Sequence, residues 1–242
     1  MADWFESWFD SKYYHILYKN RDVSEAETFL RNLTQKLQIP ANARILDLAC
    51  GKGRHSIFLN KLGFDVTGAD LAANSIAHAG QFSNESLRFV VQDMRKPLQH
   101  QKFDYVLNLF TSFGYFSDVE DNLAVLRAAH EVLMDDGVLV IDFMNAVKVA
   151  HTLLPEDEKT CEGIHFRITK KIENKCVHKT IRFEADGQSY EFSERVQLLT
   201  REDFEQMFQK TGFKLKAVFG DYNLGTFAPA NSERLILVAA KN

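Results

Sequence analysis

The sequence has little of what marks secreted, metal-binding or membrane-spanning proteins. Its 3 cysteines, Cys50, Cys161 and Cys176, are odd in number and form no C-x-x-C spacing, so neither a disulfide framework nor a zinc site is indicated. No apolar run approaches the ~20 residues that span a bilayer, and residues 1–10 lack the basic and apolar regions of a signal peptide. We therefore expect a soluble, cytoplasmic protein with no bound metal and no membrane association.

The chain also lacks an excess of positive charge. Its 29 basic and 33 acidic side chains give a formal net charge of −4, so no global field draws it to phosphate backbones, and nucleic acid is a poor candidate partner. Hydrophobic residues make up 45% of the 242 residues. This is enough to bury the core of one α/β domain with a small accessory element.

Apolar runs alternate with amphipathic segments along the first 143 residues, which favours βαβ units around a parallel sheet. The expected strands are 44–49, 64–68, 87–91, 103–109 and 138–143. The expected helices between them are 55–62, 72–79 and one that begins at a Ser117/Glu120 capping box and ends at Gly137 in a left-handed conformation. The predicted fold class is α/β, with a doubly wound, mostly parallel, Rossmann-like sheet.

The pattern changes after the fifth strand. Residues 163–198 alternate between polar and apolar side chains, with a hairpin signal at Asp186-Gly187, which predicts an antiparallel insert of about three strands. A helix capped by Thr200 and Asp203 and two strands, 213–219 and 234–240, then complete the core. The expected divisions are an N-terminal helical lid (1–40), a cofactor-binding core (41–160), the β insert (161–199) and a C-terminal part (200–242).

The strongest local signal is the run ILDLACGKGR at 45–54, in which a strand leads through a glycine turn into a helix. Glycine allows the backbone to turn tightly and a ligand to approach it closely. Asp70 lies 19 positions after Gly51 in the chain, at the end of the second strand, where such sheets present a carboxylate to ribose hydroxyls. Together these features predict a nucleoside cofactor.

Two kinds of nucleoside cofactor remain open at this point. A dinucleotide site would have a third glycine at position 56, where this chain has Ser56. Asp47 inside the loop would repel a pyrophosphate but stabilise the ammonium of an amino acid moiety. The alternatives to a methyl donor site are an NAD-type oxidoreductase and a non-catalytic cofactor-binding or scaffold protein.

Several motifs resemble those of one family. DLACGKG is similar to the D-x-x-C-G-x-G signature of class I S-adenosylmethionine methyltransferases, and VTGADLAANSI, QDMRK and the segment around DYVLNLFTSFGYF resemble the segments that follow in that family. The resemblance covers about residues 13–143. It implies S-adenosyl-L-methionine as cofactor and methyl transfer to a nitrogen or oxygen of a small molecule.

The resemblance also implies roles for individual residues. Asp47 and the backbone of Ala49 and Gly51 would hold the methionine part, and Asp70 would hold the ribose. The remaining implied cofactor contacts are Asp93 and Met94 at the adenine, Asn108 and Phe110 beneath the methionine and sulfonium, and Cys50, Gly53 and Leu71. Met94 could equally fill the core, and Asp93 could cap a helix.

On the acceptor side, the segment 14–21 (YHILYKNR) resembles the tyrosine-rich lid of small-molecule methyltransferases, including those that act on amino sugars. The resemblance implies that Tyr18 and Arg21 close over the donor and that Tyr115 faces the acceptor, so Tyr18 and Tyr115 are the candidate catalytic residues. An aromatic helix face packed on the core is an equal alternative for Tyr18. The insert is expected to roof the pocket or to form a homodimer contact.

Overall fold

The chain forms two sheets in this computed structural model, which describes residues 4–19 and 23–242. The strands are β1 (Arg44–Leu48), β2 (Asp65–Asp70), β3 (Leu87–Val91), β4 (Phe103–Asn108), β5 (Leu133–Met144), β6 (Glu156–Cys161), β7 (Ile164–Glu173), β8 (Cys176–Ala185), β9 (Gln188–Gln197), β10 (Phe213–Phe219) and β11 (Arg234–Lys241). The helices are α1 (Trp4–Phe9), α2 (Lys12–Leu17), α3 (Val23–Lys36), α4 (Arg54–Lys61), α5 (Ala73–Ala79), α6 (Val119–Val132), α7 (Ala146–Thr152) and α8 (Arg201–Lys210).

The larger sheet has seven strands in the order β3-β2-β1-β4-β5-β11-β10. The first five of these run parallel, whereas β11 is antiparallel to both β5 and β10. The predicted mostly parallel α/β sheet is confirmed. The order reverses between β1 and β4, and ligands bind outside the carboxyl ends of the strands at such a switch point.

Helices cover both faces of this sheet. On one face, Phe29, Leu30 and Leu33 of α3 pack with Phe58 and Leu59 of α4 against the inner strands. On the other face, the buried side chains of α6 and α8 form a second cluster with the strands, including Leu123, Leu126, Phe204 and Phe208. Because both faces are covered, the carboxyl edge of the sheet is the place where its strands can present polar groups to a ligand.

The second sheet is antiparallel, in the order β6-β7-β8-β9. The hairpin predicted at Asp186-Gly187 is confirmed, with left-handed φ values of 52° and 74°. The insert has four strands rather than three and begins at Glu156. Its first strand, EDEKTC, was missed because a mostly exposed edge strand carries almost no apolar alternation.

One face of the insert is covered by the N-terminal helices. Trp8, Tyr13 and Leu17 of α1 and α2 are buried against Phe166 and Ile181 of the insert, together with neighbouring apolar side chains. Helices α1 and α2 and the insert therefore form one packed unit, whereas α3, from the same predicted lid, packs on the larger sheet.

The boundaries of α6 differ from the prediction. Asp118, not Ser117, caps the helix, and its carboxylate accepts a 2.9 Å hydrogen bond from the Glu120 N–H. The helix ends at Val132 rather than near Gly137, because Leu133 already pairs with Phe103 in the sheet. Gly137 lies inside β5, where an added Cβ would come within 2.8 Å of Leu133 Cδ2. The capping box of Thr200 and Asp203 is confirmed.

Within residues 4–19 and 23–242, none of the helices has the length and apolar content that a transmembrane span requires. In the same part of the chain, His, Cys, Asp and Glu side chains do not gather in threes in a way that could hold a metal ion.

Candidate active site

A cavity of about 260 Å³, termed the first cavity, lies at the carboxyl ends of β1, β2, β3 and β4. The predicted site residues that line it are Ala49, Cys50, Gly51, Asp70, Leu71, Asp93, Met94, Phe110 and Tyr115. Asp47, Gly53, Asn108 and Tyr18 are not among its lining residues. Arg21 lies outside the described residues.

The glycine turn forms one wall of this cavity. Ala49, Gly51 and Gly53 have left-handed φ values of 64°, 56° and 80°. A Cβ added to Gly51 would meet nothing within 4 Å, whereas one added to Gly53 would lie 2.6 Å from Cε1 of Phe89. Gly51 therefore leaves room for a ligand against the backbone, and Gly53 lets α4 approach β3.

Asp70 ends β2 and faces the glycine turn. Its Oδ2 accepts a 2.7 Å hydrogen bond from the Gly51 N–H, and its Oδ1 accepts one of 2.8 Å from the Ala72 N–H. Burial raises the pKa of the Asp70 carboxyl, and these two N–H groups oppose that rise. Since Asp70 lines the first cavity, its remaining lone pairs can accept hydrogen bonds from the hydroxyl groups of a ligand.

Asp47 lies behind the turn and is 1% exposed. Burial raises the pKa of this carboxyl to about 6, although Ser56 Oγ donates a 2.6 Å hydrogen bond to Oδ2. Ser56 thus uses its hydroxyl at the position where a dinucleotide site would have glycine. The carboxylate adds negative charge close to the turn, which favours a cationic group and disfavours a pyrophosphate.

Asp93 and Met94 follow β3. Both oxygens of Asp93 accept hydrogen bonds from the Arg95 guanidinium, at 2.8 to 3.1 Å, and Oδ1 also accepts one from the Arg95 N–H at 2.9 Å. Burial works against ionisation here, but Arg95 holds the pKa of Asp93 below its ordinary value. Met94 lines the first cavity and also packs against the core. Asp93 and Met94 therefore each line the first cavity and also make a structural contact, with Arg95 and with the core respectively.

Phe110 follows β4 and forms the opposite wall. Its ring stacks on His55 at 4.7 Å and on Tyr222 at 5.2 Å between ring centroids, and the Arg54 guanidinium lies 4.8 Å from its centroid. Asn108 is buried behind this wall, where its Nδ2 donates to the Leu48 carbonyl at 3.0 Å. Asn108 therefore ties β4 to β1.

Helices α1 and α2 also line the first cavity, through residues other than the predicted Tyr18. Phe9, Tyr14 and His15 line the cavity, and burial together with Lys52 lowers the pKa of His15 to about 4. Tyr18 donates a 2.9 Å hydrogen bond to Glu194 of β9 and also contacts Lys179. Tyr18 thus fastens the N-terminal helices to the insert.

Sequence reasoning missed several lining residues. Those with a visible signal are Lys52, which lies between the two glycines of the turn, Arg54, which follows the turn, and Gln92, which follows β3. The position just after a parallel strand is the signal that identified Asp70, and it applies equally to Gln92. Phe9, Tyr14 and His15 reach the cavity because α1 and α2 pack on the insert and because Asp10, between these helices, accepts hydrogen bonds from Asn74 of α5. No local pattern shows that packing.

A second cavity, of about 860 Å³, lies beside the first. The two share Phe110 and Tyr115 among the residues that line them. Charged side chains that line the second cavity are Glu25, Glu194, Asp221, Glu233 and Arg234. Lys179 pairs with Glu194, Lys148 with Glu233 and Asp142 with Arg234, so the charged groups at this cavity and their ion-pair partners comprise five carboxylates and three cations. This excess of negative charge favours a ligand with positive charge.

Comparison with known proteins agrees with this geometry. Residues 22–218 match the family model of a methyltransferase domain. YqeM of Bacillus subtilis (strain 168) is 31% identical over 214 residues, which cover 84% of this chain and 86% of that protein. A glycine/sarcosine N-methyltransferase of Aphanothece halophytica is 34% identical over 130 residues, 52% of this chain and 48% of that enzyme.

A solved structure shows the same fold. The S-adenosylmethionine-dependent methyltransferase of Clostridium acetobutylicum superimposes with a TM-score of 0.80 at 18% identity, covering 95% of this chain and 96% of that one. The open space at Gly51 and the free acceptor capacity of Asp70 fit a nucleoside linked to an amino acid. This chain belongs to the methyltransferase domain family and is a class I S-adenosylmethionine-dependent methyltransferase.

Proposed function

We propose that this enzyme methylates a nitrogen of a small molecule that binds in the second cavity, with the donor in the first. The observation that carries the proposal is the common wall of the two cavities, Phe110 and Tyr115. Cavities that share lining residues are neighbours, so the proposal requires that they open into each other beside these two side chains. The acceptor nitrogen can then align with the methyl group, and such alignment is the main requirement for transfer.

We propose the donor contacts as follows. Gly51 and Ala49 offer their backbone to the methionine part, with Asp47 behind them, and Asp70 accepts hydrogen bonds from the ribose hydroxyls. The bound donor supplies an electrophilic methyl group on a sulfonium, so the chain has only to orient both ligands and remove a proton. Asp93 and Met94, which follow β3 and line the first cavity, would contact the adenine.

The charge of the second cavity supports nitrogen over oxygen. Glu25, Glu194, Asp221 and Glu233 line it, and carboxylates bind a protonated amine and can accept its proton before transfer. The N-methyltransferase from Aphanothece halophytica is a relative whose name describes this chemistry. Tyr115, on the common wall, is the proposed catalytic phenol, and Tyr18 acts through Glu194.

Methyl transfer from labelled S-adenosylmethionine to paired acceptors tests the proposal. Each amine is matched with its hydroxyl analogue: glycine with glycolate, and glucosamine with glucose. We expect label on amines and none on the matched alcohols. Label on the alcohols alone would assign the reaction to oxygen, and donor binding without transfer to any of a broad metabolite panel would favour a binding or scaffold protein.

We also propose a cytoplasmic enzyme without a nucleic-acid partner. Cys50, Cys161 and Cys176 are all free thiols, which suits a reducing compartment, and the net charge is −4. A homodimer through the insert stays a prediction. Sedimentation tests this prediction. The purified wild-type protein is compared with a variant in which charged residues on the outer face of the insert are changed to the opposite charge.

A further inference from the structure

Asp142 is a buried carboxylate that the proposed chemistry does not use. It lies in β5, is 0% exposed, and is not among the residues that line either cavity. Oδ2 accepts hydrogen bonds from the Phe110 N–H at 2.9 Å and from the Tyr222 hydroxyl at 3.1 Å, while Oδ1 accepts one from Arg234 Nε at 2.8 Å. Three donors from three other segments therefore converge on one side chain.

The segment that Asp142 holds is strained. Phe110 and Thr111 are consecutive and have left-handed φ values of 55° and 62°, a conformation that side-chain-bearing residues adopt at a cost, most of all a β-branched one. The backbone carbonyl of Asp142 accepts a 3.0 Å hydrogen bond from the Thr111 N–H. Arg234 Nη2 donates one of 2.9 Å to Thr111 Oγ1. Asp142 and its partner Arg234 thus hold both strained residues.

This turn carries the common wall of the cavities. Phe110 belongs to the turn, and the Tyr115 hydroxyl donates to the Thr111 carbonyl. Phe110 and Tyr115 are the two residues shared by the two linings among the described residues. Backbone strain beside a site, held in place by specific hydrogen-bond partners, is consistent with a role in preorganising that site for its ligands.

We propose that Asp142 is a positioning residue for methyl transfer, because it holds the Phe110–Thr111 turn and, through that turn, the two side chains that border both cavities. The inference rests on the proposed function of the two cavities. Asp142 itself touches neither ligand. Its contribution is to fix the place of Phe110 and Tyr115, and misplacement of such groups by about 1 Å can reduce turnover by about 10²-fold.

The test uses the full chain with 4-fluorophenylalanine at position 110, studied by ¹⁹F NMR and by titration with S-adenosylhomocysteine. Asp142→Asn removes the charge but leaves the Arg234 guanidinium, whose side chain is 19% exposed, without its charged partner. The double variant Asp142→Leu/Arg234→Met replaces the ion pair by apolar side chains, which proteins often accept without loss of stability. Asp65→Asn is the matched control, since Asp65 pairs with Arg88 at 2.7 Å elsewhere in the same sheet.

In the wild type and in Asp65→Asn we expect one ¹⁹F resonance that shifts on addition of S-adenosylhomocysteine. In both Asp142 variants we expect a broadened or multiple resonance and a dissociation constant at least tenfold higher, while the double variant keeps a melting temperature within a few degrees of wild type.

A folded double variant with the wild-type resonance and affinity would overturn the inference. Loss of cooperative unfolding in both variants would also overturn it, because Asp142 would then be needed for folding. Failure of the wild type itself to bind S-adenosylhomocysteine would instead contradict the proposed function.

Discussion

The Gly51 N–H donates a 2.7 Å hydrogen bond to Oδ2 of Asp70, so the glycine turn after β1 and the carboxylate at the end of β2 hold each other in place. The two elements that we propose hold the cofactor are therefore mechanically coupled. A change at either should affect the shape of the first cavity as well as its chemistry.

The two glycines of the turn should respond differently to substitution. Gly53→Ala introduces a Cβ 2.6 Å from the Phe89 ring at a φ of 80°, so left-handed strain of about 1–2 kcal/mol adds to overpacking of about 1–3 kcal/mol. Gly51→Ala incurs the strain alone, because its Cβ would meet nothing within 4 Å. Denaturant unfolding should show the larger loss of stability in Gly53→Ala, and calorimetry should show weakened donor binding in Gly51→Ala. Equal stability losses would contradict this assignment of the glycines.

Replacement of Asp70 should weaken donor binding without unfolding the protein. Asp70→Ala removes an acceptor for the ribose hydroxyls, and hydrogen bonds to a charged group contribute about 1.5–3 kcal/mol. Asp65→Ala, at the opposite end of the same strand, is the matched control and should bind the donor as the wild type does. The comparison requires calorimetry and a melting curve for each variant. Unchanged affinity in folded Asp70→Ala would remove Asp70 from the site.

Asp47 should make stability depend on pH. Its pKa is about 6 in the folded protein against an ordinary value of 3.8, so between these values the folded state binds more protons than the unfolded state. The free energy of unfolding should therefore fall as pH rises through this window, by up to about 3 kcal/mol at 1.36 kcal/mol per pKa unit. His15, with a pKa lowered to about 4, acts in the opposite sense.

The difference between the wild type and Asp47→Asn isolates the Asp47 contribution, since His15 is common to both. Urea unfolding at intervals from pH 4 to pH 7 should show wild-type stability declining relative to the variant. Parallel curves would mean that Asp47 has an ordinary pKa in the folded protein.

Replacement of the two tyrosines predicted to be catalytic should have different effects on turnover. Tyr115→Phe removes a hydroxyl that borders both cavities, so turnover should fall more than donor affinity. If the phenol moves a proton, the expected loss of turnover is about 10²–10⁴-fold. Tyr18→Phe removes the hydrogen bond to Glu194 and should chiefly loosen the N-terminal helices, which is seen as faster amide exchange in α2. Wild-type turnover in Tyr115→Phe would reduce that residue to a packing role and direct attention to His55.

Much of the fold could be predicted because its signals are local. The glycine turn, Asp70 at a strand end, and the Thr200/Asp203 capping box each depend on residues close together in sequence, and the structure has all three. The end of α6 could not be predicted in this way, because Leu133 leaves the helix to pair with Phe103, a partner 30 positions earlier in the chain. Local capping signals at Asp135-Asp136-Gly137 gave the wrong boundary.

The site was predictable where strands place residues and unpredictable where long-range packing does. Asp93 and Phe110 follow strands and line the first cavity as expected. Phe9 and His15 reach it because Trp8 and Tyr13 pack on an insert more than 150 residues away, as the Trp8–Glu194 hydrogen bond of 2.7 Å shows across 186 positions. Asp142 draws its role from Tyr222 and Arg234, 80 and 92 positions later. No pattern within one segment contains that information.

Parallel calorimetric titrations of the wild-type protein with S-adenosylhomocysteine and with NAD test the central claim most directly. We expect saturable binding of one S-adenosylhomocysteine per chain and no heat from NAD. Ser56 stands where a pyrophosphate site needs a glycine, and Asp47 places a negative charge where such a site needs none. Saturable binding of NAD together with no binding of S-adenosylhomocysteine would contradict the account.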